Sequence, residues 1–118
     1  MEILDIAKKV VKTLDNKKAQ DITLLKIEEL TVLSDYFVIA SASSTTQLKA
    51  LAGEVEFEHA KDDIKPLHIE GYDSASWILL DYGFVVVHLF LKDSRMFYSL
   101  ERLWSDAKEV DISHLIEE

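Results

Sequence analysis

The order of helical and extended patterns predicts a single α/β domain. It has a mixed, mostly five-stranded sheet with helices packed mainly on one face. Three observations predict it. The periodic segments run α-β-β-α-β-β-β-α along the chain. Residues 36–70 read strand–helix–strand, a passage that implies a parallel, right-handed crossover. Two apolar runs, 77–81 and 84–91, flank Tyr82-Gly83, and an X-Gly pair between such runs signals an antiparallel hairpin.

The first helix is expected over residues 2–15. Ile3, Ala7, Val10 and Leu14 recur at helical spacing with Ile6 and Val11 beside them, while Lys8, Lys9 and Lys12 fall largely on the other side. Residues 16–20 are a polar break, and 21–26 read as a short strand. Tyr36 to Ala40 is rich in aromatic and β-branched residues and reads as a central strand. The hydroxyl run Ser41 to Thr46 offers Ser43 or Ser44 as the N-cap of a second helix. That helix carries Leu48, Leu51, Ala52, Val55 and His59 on one face. Gly53 within it costs about 1 kcal/mol relative to alanine, so close packing is expected there. Pro66 closes the following loop, 67–70 form a short strand, and 71–76 a turn.

A two-residue loop at Tyr82-Gly83 sets Trp77 opposite His88, Leu79 opposite Val86 and Asp81 opposite Phe84. Ile78, Leu80, Val85, Val87, Leu89 and Leu91 then share a uniformly aliphatic face that belongs against the helices. The other face holds Trp77, Leu79, Asp81, Phe84, Val86, His88 and Phe90. It is aromatic with a few polar groups and carries too little charge for an ordinary solvated surface. A contiguous apolar patch of this kind marks a partner site, or a face covered by another element or a second copy. Residues 94–104 have helical spacing in Met96, Phe97, Leu100, Leu103 and Trp104. The domain is expected to end there, with 105–118 a loosely held acidic tail. Five acids and one lysine give that tail a net charge of −4, and Val110, Ile112, Leu115 and Ile116 offer it a means of docking.

Length and composition bound the function. The chain has 118 residues, enough for one domain and not two. It has no cysteine, which excludes disulfides, thiol nucleophiles and cysteine-ligated metals. Its three glycines are scattered, so neither a phosphate-binding loop nor a dinucleotide fingerprint exists. The 13 basic and 22 acidic residues give a net charge of −9. That disfavours nucleic-acid binding and favours a basic protein partner. No apolar run approaches the roughly 20 residues of a membrane span, and no leader pattern opens the chain, so a cytoplasmic location is expected.

Chemistry has little support. His59, His68, His88 and His114 lie in no metal-ligand spacing, and no metal or cofactor is expected. The lysines of the first helix read as a solvated face. Ser34-Asp35-Tyr36-Phe37 resembles part of a nucleotidyltransferase motif, whose enzymes need paired carboxylates to hold Mg²⁺. Phe37 stands where the second acid belongs, so no enzyme activity is expected.

The run from Glu70 to Phe90, Glu-Gly-Tyr-Asp-Ser-Ala-Ser-Trp-Ile-Leu-Leu-Asp-Tyr-Gly-Phe-Val-Val-Val-His-Leu-Phe, resembles the signature of the Iojap family, the bacterial ribosomal silencing factors. The likeness continues in residues 34–41, in Gln47-Leu48-Lys49-Ala50 and in residues 97–107, and so covers nearly the whole chain in order. The resemblance implies a fold related to nucleotidyltransferases without their catalytic residues. It implies binding to the large ribosomal subunit through the protein numbered fourteen in large-subunit nomenclature. It also implies a steric block to small-subunit joining, which represses translation when nutrients are scarce. Residue by residue, the contact is expected on Trp77, Leu79, Asp81, Tyr82, His88 and Phe90, with Arg102 and Trp104 at the margin. The family pattern often has an acid where Phe84 stands, which makes this face more apolar. A homodimer that covers the same face is a further expectation.

Overall fold

A computed structural model describes residues 2–27, 34–73, 76–92 and 107–116. Among these, α1 (Ile3–Asn16), β1 (Gln20–Lys26), β2 (Tyr36–Ala42), α2 (Thr45–Ala60), β3 (His68–Glu70), β4 (Trp77–Asp81), β5 (Val85–Leu91) and β6 (Lys108–Glu109) are followed by a 3-10 turn at Ser113–Leu115. The strands form one mixed sheet in the order β3-β4-β5-β2-β1-β6. β2 and β5 pair in parallel, and every other neighbouring pair is antiparallel.

α1 buries Ile6, Ala7, Val10, Val11 and Leu14 of the stripe its spacing predicts, while Ile3 in its first turn is exposed. Its end is a Schellman turn: the Ala19 N–H donates to the Leu14 carbonyl and the Lys18 N–H to that of Asp15. Lys18 takes the left-handed position usually held by glycine, at φ 66°. α2 starts at Ser44, whose Oγ accepts from the Gln47 N–H at 3.1 Å. Gln47 Oε1 in return accepts from the Ser43 N–H at 2.8 Å. Both helices pack on the sheet face that carries Val38, Ala40, Ile78, Leu80, Val87 and Leu89. The aliphatic half of the hairpin therefore faces the helices, as its composition requires.

Three features differ from expectation. The crossover through α2 does not set β3 beside β2. β3 lands at the far edge of the sheet, and β5 becomes the parallel neighbour of β2. β3 has three residues, none of them fully buried, which suits an edge, whereas β5 buries five of its seven and suits the centre. Second, the hairpin turn lies one residue later. The Tyr82 N–H donates to the Val85 carbonyl at 2.9 Å, and Gly83-Phe84 are the two central residues. Gly83 at φ 86° supplies the positive φ that a type II′ turn needs in its first central position. Trp77 is then opposite Phe90, Leu79 opposite His88 and Asp81 opposite Val86. The pairing shifts by two residues, so every side chain keeps its face and only its partner changes. Third, nothing packs on Gly53: a Cβ there would meet no atom within 4 Å.

Residues 107–116 are held to the sheet. β6 pairs with β1, the Val110 N–H donates to the Leu24 carbonyl at 2.8 Å, and Val110, Ile112 and Leu115 pack against the main core. Lys12 Nζ donates to the Leu115 carbonyl and Lys9 pairs with Asp62, so two of the α1 lysines are engaged within the fold. The helix expected over residues 94–104 lies outside the described residues.

Candidate functional site

The face of the sheet opposite the helices is built by alternation on three adjacent strands. β4 contributes Trp77, Leu79 and Asp81, β5 contributes Val86, His88 and Phe90, and β2 contributes Phe37, Ile39 and Ser41 in register with them. Trp77 stacks on Phe90, its cross-strand partner, with ring centroids 5.2 Å apart at 24°. Its indole Nε1 donates to His88 Nδ1 at 3.3 Å. That bond leaves the proton of the neutral imidazole on Nε2. Phe37 closes on the other side of His88, with centroids 4.5 Å apart. Burial pushes the His88 pKa down to about 4 against a smaller upward pull from Asp81, so the ring is neutral at pH 7.

This face is half open. Trp77, Leu79, Asp81 and Val86 are half-buried, whereas His88 and Phe90 are buried. Phe90 belongs to a second small cluster with Leu25, Ile27 and Ile39, against which Phe37, Trp77 and Ala107 pack. His88 and Phe90 therefore support the surface from beneath and do not form it, a correction to the expected contact. Tyr82 is corrected further. It continues the alternation of Ile78 and Leu80, so its ring enters the core on the helix side and is 3% exposed. There it lies against His59, with centroids 5.2 Å apart. Burial, with Glu56 adding, pushes its hydroxyl up to about 12. Arg102 and Trp104 lie outside the described residues.

The surface that remains is a strip of Trp77, Leu79 and Asp81 with Val86 and Phe37 beside it. Asp81 has two other ties. One carboxylate oxygen accepts from the Gly83 N–H at 2.7 Å, and the other lies 3.5 Å from His68 Nε2. Its orientation is thus fixed at the acidic end of an aromatic strip. Phe37 was missed as a site residue because only the long-range β2–β5 pairing brings it here. The alternation of Tyr36-Phe37-Val38 was the only local signal.

Asp35 is placed elsewhere, at the entrance to β2. Its N–H donates to the Phe84 carbonyl at 2.9 Å, and Ser34 Oγ donates to the same carbonyl at 3.0 Å. The Ser34-Asp35 pair thus ties β2 to the hairpin turn. Among the described residues, no group of three or more histidine, aspartate or glutamate side chains is arranged to hold a metal ion. Among them, too, no helix is long and apolar enough to cross a membrane. Two clefts of about 270 and 220 Å³ lie away from the strip. One is lined by Ile22, Leu24, Val110 and Ile112, the other by Lys9, Lys12, Asn16 and Glu54.

Comparison with known proteins places this geometry in a context. The model of a family described as ribosomal silencing factor during starvation matches residues 1–118. The ribosomal silencing factor RsfS of Bacillus subtilis is 42% identical over 98 residues, 83% of each chain. A mouse protein named for mitochondrial assembly of the ribosomal large subunit is 35% identical over 99 residues, 81% of this chain and 43% of its own length. The crystal structure of protein CV0518 from Chromobacterium violaceum superposes with a TM-score of 0.87 at 34% identity, covering 96% of this chain and 93% of that one.

Proposed function

Because this chain belongs to the ribosomal silencing factor family, a role in ribosome silencing follows, and we propose that it acts by docking on the large ribosomal subunit. The Trp77–Leu79–Asp81 strip meets a basic ribosomal protein, the one numbered fourteen in large-subunit nomenclature. The bound factor occupies space that the small subunit needs, and translation falls under nutrient limitation. The observation that carries the reading is the strip itself. A half-buried tryptophan is held by a hydrogen bond and a stacking contact, beside an oriented carboxylate, on an acidic molecule. A rigid aromatic anchor loses little entropy on binding, and the net charge of −9 steers it toward a cationic surface.

Nothing in this mechanism requires catalysis. Asp35 has Phe37 and not a second acid two residues on, and its backbone serves the turn. A titration with nucleoside triphosphates and Mg²⁺ is expected to show no binding. Saturable, Mg²⁺-dependent binding lost in Asp35→Asn would replace this reading with a nucleotide-binding one. Docking itself is tested by co-sedimentation with separated subunits. Pelleting with the large subunit alone is expected, and Trp77→Ala, folded by circular dichroism, is expected to stay in the supernatant. Pelleting with neither subunit would contradict the proposal.

A further inference from the structure

We propose that the cleft between β1 and residues 110–116, the strap that follows β6, docks a basic peptide segment carrying one large aliphatic side chain. The cleft has a volume of about 270 Å³. Its apolar walls are Ile22 and Leu24 on β1 and Val110, Ile112 and Ile116 on the strap. Leu24 is buried and the other four are half-buried, so branched aliphatic groups meet water in a concave setting. An aliphatic side chain seated there removes that surface from water. Small-molecule pockets hold roughly 300–1,000 Å³, so this cleft suits a side chain and not a cofactor.

Local structure builds the cleft. The strap is tied at both ends. The Val110 N–H donates to the Leu24 carbonyl at 2.8 Å where the chain leaves β6, and Lys12 Nζ donates to the Leu115 carbonyl at 3.5 Å where it reaches α1. Between these ties the strap turns away from β1, because Asp111 Oδ1 accepts from the Ser113 N–H at 2.9 Å and leads into the 3-10 turn. β1 departs from regularity at the same place. Its pairing with β2 slips between Gln20 and Thr23, where Asp21 has φ 52°. Ile22 lies within that bulge, and a bulge re-aims side chains beside it.

Charge selects the occupant. Glu109 and Asp111 line the cleft, and no lysine, arginine or histidine does. Both acids are exposed, and the Ser113 N–H holds the Asp111 carboxyl below the ordinary carboxylate range. An apolar floor under an anionic rim fits leucine or isoleucine flanked by lysine or arginine. The last two residues of the chain, Glu117 and Glu118, have the wrong charge to fill it. The second cleft lacks this pattern, since lysines and glutamates line it together. The site lies at the β1–β6 edge with Leu24 facing the helices, whereas the Trp77 strip lies on the opposite face, so the proposal does not rest on the docking mechanism above.

Titration with acetyl-Lys-Lys-Leu-Lys-Lys-amide, followed by the methyl NMR signals of Ile22, Val110, Ile112 and Ile116, tests this. A saturable shift of these methyls is expected, with a dissociation constant on the order of 1 mM or below. Serine in place of the peptide's leucine is expected to weaken binding about tenfold. Glu109→Lys with Asp111→Asn reverses the rim and keeps an acceptor for the Ser113 N–H. This variant is expected to lose the lysine peptide and to bind acetyl-Glu-Glu-Leu-Glu-Glu-amide, which the wild type rejects. A misfolded chain cannot gain a ligand, so the exchange isolates the rim. Unmoved cleft methyls overturn the proposal, as does equal binding of the serine peptide or a folded variant that does not exchange peptides. So does a cleft filled in the free protein by residues 28–33 or 93–106 of the same chain, seen as contacts to these methyls.

Discussion

On the proposed mechanism, Trp77 is the residue on which docking turns. Its indole is oriented by His88 and supported by Phe90, so removing it deletes both the apolar contact and its preorganisation. Trp77→Ala is expected to weaken large-subunit binding by about 2 kcal/mol, more than tenfold in dissociation constant. His88 sets a pH dependence. Its folded-state pKa near 4 lies below the ordinary 6.5. Between those values the unfolded chain binds the extra proton, so the stability His88 provides is complete above pH 6.5 and is lost as pH falls toward 4. The full shift corresponds to about 3 kcal/mol. Burial, with Lys9 adding, depresses His59 in the same direction. Urea midpoints should therefore fall between pH 7 and 5, and fall less in His88→Asn. An unchanged slope in that variant would show that His88 is not the sensor. Trp77 and His88 were legible in the sequence because polar-aromatic alternation with so little charge is unusual on an open face. The burial of His88 was not legible, because Phe37 and Ile39 reach it only through strand pairing at long range.

Turn chemistry governs the elements. The hairpin was readable from its two apolar runs and Gly83, yet the turn begins one residue later than the X-Gly pair suggested. The displacement leaves both faces intact, and Tyr82 becomes the residue between β4 and the turn, where it continues the β4 alternation into the core. Gly71 and Gly83 both have positive φ, but their surroundings differ. A Cβ on Gly71 would lie 1.9 Å from the Trp77 carbonyl oxygen, a backbone atom. On Gly83 it would lie 3.3 Å from Leu67 Cδ1, the end of a flexible side chain. Gly83→Ala is expected to cost about 1–2 kcal/mol from its left-handed backbone alone, and Gly71→Ala substantially more. Thermal unfolding of the two variants checks the order, and equal losses would contradict it. Helices were the most legible elements. The stripe of α1 and the serine cap of α2 are local signals, while the position of β3 depends on which strand best fills the centre of the sheet.

At the scale of the molecule, an acidic body with extents of 33 × 33 × 31 Å carries, among the described residues, an aromatic strip on the sheet face opposite the helices. Fold class and family were legible because they rest on the order of elements and on long motifs. The extent of the exposed strip was not, because it depends on which side chains the second cluster withdraws from the surface. On the proposed mechanism volume and position suffice, and potency follows affinity. The most direct measurement is a subunit-joining assay with purified large and small subunits, read by the fraction of joined ribosomes on a sucrose gradient as the protein is titrated. Joining is expected to fall as the large subunit becomes occupied, and folded Trp77→Ala is expected to need more than tenfold higher concentration for the same effect. Undiminished joining at full occupancy of the large subunit would contradict it.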